Sequence, residues 1–533
     1  MEKVLEIRKC TACWAEFEIT DKDVEFLEMA SPTYSWLKFP IPAPTQCPQC
    51  RKIRRLAWRN ERKLFKRNCD ATGKNIISVY SPDKKFPVYS ADEWWSDRWD
   101  PLSYWRDYDF SRPFFDQFSE LLDVVPKLSI VNFNSQNSDY TNISADNKDC
   151  YLIVESSNNE NSYYSYWLQL SKDMIDCAYA NNSSLCYECT SIDNSYNLKY
   201  CHRCIDCRDS FYLKDSKWCN NCFWCVGLQW NEYYILNKPS TKEEFQSLVN
   251  KLLNWSKDDK EEILKMIDEF YKTFWTRKPR VIMSENCNWD YILNSKDCID
   301  VTDANDAENC RHSTDTWRNA RDIMDWNTCW RNATKCYEVT NCAVDVQNIL
   351  FCAMNWINET DSTYCFYCSN SNNLFGCVWI HTPHSYCILN KQYTKEEYES
   401  IVPKIIKHMM TTWEWWEFFP SSISPFWYNE TVASEYYPLS REEVITDAKS
   451  QFKWSDYENP KPDVSKIIPA SKLPNSIKDI PDDIVNWAIE CERTKKPFRI
   501  IKQELDFYRK NNLPIPRLHP DERHVDRMKL RKI

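Results

Sequence analysis

Two long stretches of the chain, 132–238 and 285–391, carry short apolar–polar alternations set among Asn, Ser, Asp, Tyr and Cys. Period-two alternation predicts strands, and the Asn-rich punctuation predicts turns between them. Both stretches run into one shared sequence: YILNKPSTKEEFQSLV (234–249) matches CILNKQYTKEEYESIV (387–402) at a constant offset of 153. In each copy a Thr followed three residues later by Glu opens a helix as a capping box, Thr241 with Glu244 and Thr394 with Glu397. Within the first stretch CHRCIDC (201–207) recurs as CNNCFWC (219–225) at an offset of 18, and Cys310 and Cys329 stand 19 apart. A period near 18–22 residues predicts a β-solenoid, in which each rung is a few short strands and like residues stack. A leucine-rich repeat is disfavoured because the L-x-x-L-x-L core is missing.

The two ends also repeat each other. FEITDKDVEF (17–26) matches FRIIKQELDF (498–507), and IPAPTQCPQCR (41–51) matches IPRLHPDER (515–523) with two residues fewer. The N-terminal copy contains Cys10-x2-Cys13 and Cys47-x2-Cys50. Two such pairs close a tetrahedral Zn(S)4 site with no open position, so the expected zinc is structural. In the C-terminal copy Cys491 aligns with Cys10, but Thr494, His519 and Glu522 align with the other three cysteines. That copy is expected to be a degenerate ribbon that packs without metal.

Directly after Cys50 comes RKIRRLAWRNERKLFKR (51–67), with nine basic residues and one acid, Glu61. Read as one helix, it places Arg51, Arg55, Arg59, Arg62 and Lys66 on one face, with Lys52, Arg54, Lys63 and Arg67 beside them. Residues 1–67 hold 14 basic and nine acidic side chains, net +5, inside a chain of net −10. Such local asymmetry on a zinc knuckle suits phosphate-backbone contact and makes RNA the candidate ligand of these nine residues. The alternative is a helix that pairs with acidic surface elsewhere in the chain.

Composition changes the picture at two residue types. The 27 cysteines, without an apolar signal core at the N-terminus, read as metal ligands and buried thiols rather than disulfides. Cys201, Cys204, Cys207, Cys219, Cys222 and Cys225 lack the Cys-Pro ending of a ferredoxin run. They read as small residues packed inside rungs, with a second metal site as the alternative. Glycine occurs only 3 times, against roughly 37 at ordinary usage, while tryptophan occurs 25 times. Aligning FWCVGL (223–228) with FGCVWI (375–380) sets Trp224 against Gly376 and Gly227 against Trp379; aligning CTACW with CDATG sets Trp14 against Gly73. The largest side chain does not replace glycine reciprocally at positions that need glycine. The economical explanation is a genome that reads UGA as glycine, translated here with UGA as tryptophan.

The segments CPQCRKIRRLAWRNERKLFKRNCDATGK, YSPDKKFPVYSADEWWSDRWD, CILNKQYTKEEYE and NLPIPRLHPDER resemble uncharacterised zinc-ribbon proteins of ultra-small candidate-phylum bacteria. Some of those lineages read UGA as glycine. The resemblance implies zinc on Cys10, Cys13, Cys47 and Cys50, and it implies no activity.

The expected fold is therefore mixed and mainly β. It comprises a zinc ribbon with basic helix (1–80), a connecting segment (81–131), a first β-solenoid block (132–238) and a helical insert (239–284). A second β-solenoid block (285–391), a helical cap and connector (392–457), a Pro-rich linker (458–483) and a degenerate ribbon-like repeat (484–533) follow. No apolar run is long enough to span a membrane, and a cytoplasmic location is expected. The expected function is a non-enzymatic zinc-binding scaffold or binding protein with RNA on the basic helix. The alternatives are a protein–protein scaffold using the solenoid faces, or a solenoid enzyme acting on polysaccharide.

Overall fold

The computed structural model describes the chain except residues 1, 253–264, 268, 275–280, 330–333, 339, 341–349, 352, 354–358, 448, 461 and 532–533. The chain forms two compact units, one built from 1–129 and 277–457, the other from 130–276 and 458–532. Each contains one solenoid block and one terminal module.

In the second of these units the solenoid coils pair in parallel at a spacing of twelve residues. Tyr166 pairs with Ala178, Ala178 with Thr190, Thr190 with His202, and His202 with Lys214. The period is twelve and not 18–22; the recurrence of cysteines at 18 is six triplets, a turn and a half. The triplet is the true unit. Every third residue turns a corner in the left-handed region, as at Leu152 (φ 51°), Glu155 (50°), Asn158 (59°) and Asn161 (49°). The residue after each corner points inward, and Ile153, Ser156, Asn159 and Ser162 are buried. The third member bridges to neighbouring coils, as Tyr151 does to Tyr163 and Val154 to Tyr166.

This geometry explains the composition of the interior. Bridging and corner amides donate to carbonyls of adjacent coils, Val154 to Ser165 and Glu155 to Asn142, both at 3.1 Å. The inward amide instead donates to the inward side chain one coil earlier. Leu168 N–H donates to Ser156 Oγ at 3.0 Å, Ser171 to Asn159 Oδ1 at 2.9 Å, and Leu213 to Cys201 Sγ at 3.4 Å. Buried amides have to be satisfied, so Ser, Asn and Cys at inward positions are steps of a side-chain ladder. The second block keeps the triplet, with left-handed corners at Asp297, Asp300, Asp303 and Asp306. Its coil length varies: Thr314 pairs with Asn327, Tyr337 with Leu350, Leu350 with Thr363 and Asn372 with Ser385, each thirteen residues on, while Val281 pairs with Ile292 eleven on. Both capping boxes form; Glu244 N–H and Glu397 N–H each donate to the preceding Thr hydroxyl at 3.2 Å. The helix Lys395–Thr411 that follows the second block buries Tyr398, Val402, Ile405, Ile406 and Met409.

Several tryptophans occupy backbone positions that favour glycine. Trp36 is the second residue of a two-residue turn joining Thr33–Tyr34 to Leu37–Lys38, with φ 47° at Ser35 and 67° at Trp36. Turns of that hand take glycine at the second position. Trp413 (φ 61°) follows Thr412, the C-cap of Lys395–Thr411, where helices commonly place glycine. Trp14 (φ 65°) and Gly73 (φ 72°) close matching turns, their N–H groups donating to Cys10 O at 3.0 Å and Cys69 O at 2.8 Å. Trp224 and Trp379 share the left-handed state of their aligned partners Gly376 and Gly227. A Cβ on Gly376 would lie 2.9 Å from Phe114 Cε2, so no tryptophan fits that corner. Trp36 and Trp413 are 98% and 77% exposed, so burial does not offset their strain. Replacing either by glycine is expected to stabilise the chain by about 1 kcal/mol, read as a higher denaturation midpoint. In the gene, UGA is expected at Trp14, Trp224 and Trp379, and UGG at all three would end this reading.

The terminal module of the first unit begins with an antiparallel hairpin, β1 (Val4–Lys9) and β2 (Glu16–Thr20), followed by α1 (Asp21–Ala30). Its second helix, α2, spans Pro48–Leu56, and so the single helix expected over 51–67 is cut short. Asn60 stops it: its side chain accepts from Lys63 N–H at 3.0 Å and donates to Lys63 O and Val79 O at 2.9 and 2.7 Å. The chain then enters the strand Phe65–Asn68.

The arginines of this segment turn inward, which is the main departure from the expected phosphate-binding face. Arg51 Nε lies 2.6 Å from Asp325 Oδ2, and Arg55 Nη1 lies 3.5 Å from Asp325 Oδ1, all three side chains being buried. Arg54 pairs with Glu338 at 2.7 Å and Glu417 at 2.8 Å. Arg59 pairs with Glu61, and Arg67 with Asp70 at 2.9 Å. Arg62 is buried, Lys52 and Lys63 are half-buried, and Lys66 is exposed. Arg51, Arg55, Arg59 and Arg62 are thus held inside the unit and present no open cationic stripe.

The other unit repeats the device. Its hairpin Trp487–Glu490 with Pro497–Phe498 leads to the helices Lys502–Lys510 and Pro520–Met528. Arg523 and Arg527, which align with Arg51 and Arg55, both pair with buried Asp176, Arg527 at 2.8 Å. Ile489, Phe498, Leu505 and Tyr508 share a core with Tyr164, Ile175 and Tyr187 of the solenoid.

Candidate metal centre

Cys10 ends the β1 hairpin strand and opens a tight turn. Its N–H donates to Ala15 O at 2.9 Å, and its sulfur accepts from Cys13 N–H at 3.5 Å. The second pair is built differently. Cys47 is the N-cap of α2, Pro48 occupies its first turn, and Cys50 lies in that turn. Helix N-termini favour negative charge, so this pair is placed where a thiolate is stabilised. Cys47 N–H donates to Cys10 Sγ at 3.3 Å, tying the two turns together.

The four sulfur atoms all lie within 4.8 Å of one another, with Cys13 and Cys47 3.8 Å apart. Cys10 and Cys47 are buried, Cys50 is half-buried and Cys13 is exposed, so the cluster opens to solvent on one side. The Cys50 thiol, with help from Cys13 and Cys10, pulls Cys47 down to about 5. The same hydrogen bond, then burial and the charge on Cys47, push Cys50 up. Burial raises Cys13 as well. Ionising Cys47 thus works against ionising Cys50 beside it, and a cation at the centre would remove that repulsion. Cys10, Cys13, Cys47 and Cys50 therefore form a site able to hold a metal ion.

The C-terminal copy keeps the backbone of this arrangement with other side chains. His519 N–H donates to Cys491 Sγ at 3.2 Å, as Cys47 N–H does to Cys10. His519 then spends Nδ1 as a helix cap, accepting from Asp521 N–H at 3.2 Å. Glu522 pairs with Arg493 at 2.9 Å. Lys495, at φ 61°, closes the turn that Trp14 and Gly73 close in the other copies.

The six solenoid cysteines from Cys201 to Cys225 occupy inward ladder positions and do not converge. Cys201, Cys204 and Cys207 point their thiols at the carbonyls of Lys199, His202 and Ile205, at 3.4, 3.6 and 3.4 Å. No three of these six sulfurs come within 4.8 Å of one another. The alternative second metal site expected from them is replaced by thiol columns within the ladder. Sequence reasoning did not single out Asp325, Glu338 or Asp176. Each is one acid among many along a solenoid, and only docking of an arginine helix distinguishes it.

No family model matches this chain, and no curated protein does. Among solved structures, a chain named as an acetyltransferase from Desulfovibrio desulfuricans G20 is similar over 50% of this chain and 69% of its own. Its identity is 8% and its TM-score 0.13, and a likeness at that level carries no argument about fold or function. Among the described residues no helix is long and apolar enough to cross a membrane.

Proposed function

We propose that this chain is a non-enzymatic, zinc-stabilised scaffold that binds other proteins through its solenoid faces. The observation that carries this reading is the fate of the arginine helix. Arg51 and Arg55 are spent on Asp325, so the strongest cationic feature of the sequence acts as an internal clamp. Four thiolates in a tetrahedral set suit zinc in a closed, structural role, and the centre sits at the first turn of that clamping helix. Two of every three solenoid residues, corner and bridge, carry side chains on the outside of the coil; the terminal module covers Tyr164, Ile175 and Tyr187, and the face left exposed around Leu170 and Tyr196 is a repetitive surface of the kind repeat proteins use for partners.

Two measurements test this. Full-length protein mixed with RNA at 50 mM salt should show no salt-steep binding; a log–log salt slope of roughly −3 to −5 would return the RNA reading. Leu170 and Tyr196 are exposed on the first solenoid block. A partner recovered from native cells should be lost by Leu170→Glu with Tyr196→Glu while the melting temperature stays unchanged. Retention of the same partner by that variant counts against the first solenoid face.

A further inference from the structure

We propose that the second solenoid block holds an interior metal site formed by Glu359, Cys365 and Cys368. At three residues per side, positions 359, 362, 365 and 368 are the inward positions of one coil. Glu359, Ser362, Cys365 and Cys368 are all buried. One carboxylate oxygen of Glu359 and the two sulfurs lie within 4.8 Å of one another. That closeness is near the span of donors sharing one ion at bond lengths of about 2.0–2.3 Å, within reach of small side-chain adjustments.

The carboxylate is the feature that the ladder does not explain. Polar inward side chains elsewhere serve the coil: Ser371 Oγ, one turn further on, donates to Thr382 O at 3.1 Å and accepts from His384 N–H at 3.2 Å. Neither oxygen of Glu359 meets a hydrogen-bond partner. A carboxyl in an apolar interior without a partner is unfavourable, and the next coil fills the corresponding layer with Ser371, Leu374, Cys377 and Ile380. Two thiols beside the orphan carboxylate supply the missing logic. Together they offer three anionic donors to one dication. Sulfur donors select a zinc-like ion over magnesium or calcium. Because Cys13 is exposed and this trio is buried, the two centres should also differ in how fast a chelator empties them.

The test uses the full chain loaded with zinc, and then with cobalt(II) as a spectroscopic substitute. Two ions per chain are expected, both giving sulfur-to-cobalt charge-transfer bands. Chelator should remove one quickly and one slowly. Cys47→Ser should lose the fast ion, whereas Glu359→Gln and Cys365→Ser should each lose the slow one. A single ion per wild-type chain, or two ions kept by both interior variants, overturns the proposal. Should the interior variants fail to fold, the Cys10→Ser, Cys13→Ser chain decides: one slow ion supports the site and none overturns it. A higher melting temperature for Glu359→Gln at unchanged metal content would also overturn it, as an orphan acid relieved of its burial cost.

Discussion

Chelating the metal from Cys10, Cys13, Cys47 and Cys50 is expected to unfold the N-terminal module and to release α2 from the solenoid block of its own unit. A structural zinc held by four thiolates contributes roughly 10–16 kcal/mol to the folded state, more than a whole domain usually has in reserve. The module's buried apolar residues are few, among them Ile19, Phe26, Leu27, Phe39 and Ile41. The hairpin turn and the helix N-terminus meet through sulfur, by the Cys47 N–H to Cys10 Sγ bond and the Cys13–Cys47 contact, and through a few backbone carbonyls, Thr11 N–H donating to Thr45 O at 3.1 Å and Arg8 Nη1 to Ala43 O at 2.9 Å. Without the ion, four close thiols face one another with nothing between them to hold. Amide exchange across Val4–Leu56 should rise sharply on chelation and recover on adding zinc, while the solenoid amides of the other unit stay protected. Unchanged protection of Val4–Leu56 after complete metal loss would remove the structural role of this site.

The second large effect concerns the clamp. Asp325→Asn is expected to destabilise its unit by about 3–5 kcal/mol, because Arg51 and Arg55 would remain buried opposite a neutral amide. Asp176→Asn should do the same to the other unit through Arg523 and Arg527. Substituting the set by apolar residues, Asp325→Leu with Arg51→Met and Arg55→Met, should recover most of the loss, since a well-packed apolar replacement often matches a buried ion pair. The pH dependence has a definite sign. Burial alone would raise the Asp325 pKa, but Arg51 and Arg55 outweigh it and hold the carboxyl below its usual 3.8. Its contribution is therefore fully present above about pH 4 and is lost as pH falls through the lower folded value. Urea titrations of wild type and Asp325→Asn from pH 7 down to pH 3 should converge at the acid end. Parallel curves over that range would show that the ionised pair is not what stabilises the docked helix.

The two CxxC pairs, the capping boxes at Thr241 and Thr394 and the alignment of the chain ends could be read directly, because each is a local pattern. A knuckle needs two cysteines two residues apart, and a cap needs Thr and Glu on one helical turn. Parallel coils were legible too, from Asn-rich alternation, but their period was not. Cysteine is only one of the inward residues that accept a ladder amide, along with Ser and Asn, so following cysteine alone found the spacing of 18 and missed the triplet. The exposed strain of Trp36 and Trp413 needed φ angles, since neither had an aligned glycine to betray it.

The sequence by itself determined that Cys10, Cys13, Cys47 and Cys50 could bind a metal and which stretches would coil. Tertiary structure alone decided what the basic stripe does. A basic segment has the same sequence whether it meets RNA or a buried aspartate. Charge is satisfied by whatever approaches it, and the partner of Arg51 and Arg55, Asp325, lies 274 residues from the first. The same holds for Glu359, an unremarkable acid in sequence whose meaning depends on two sulfurs that the coil brings beside it in the dry interior.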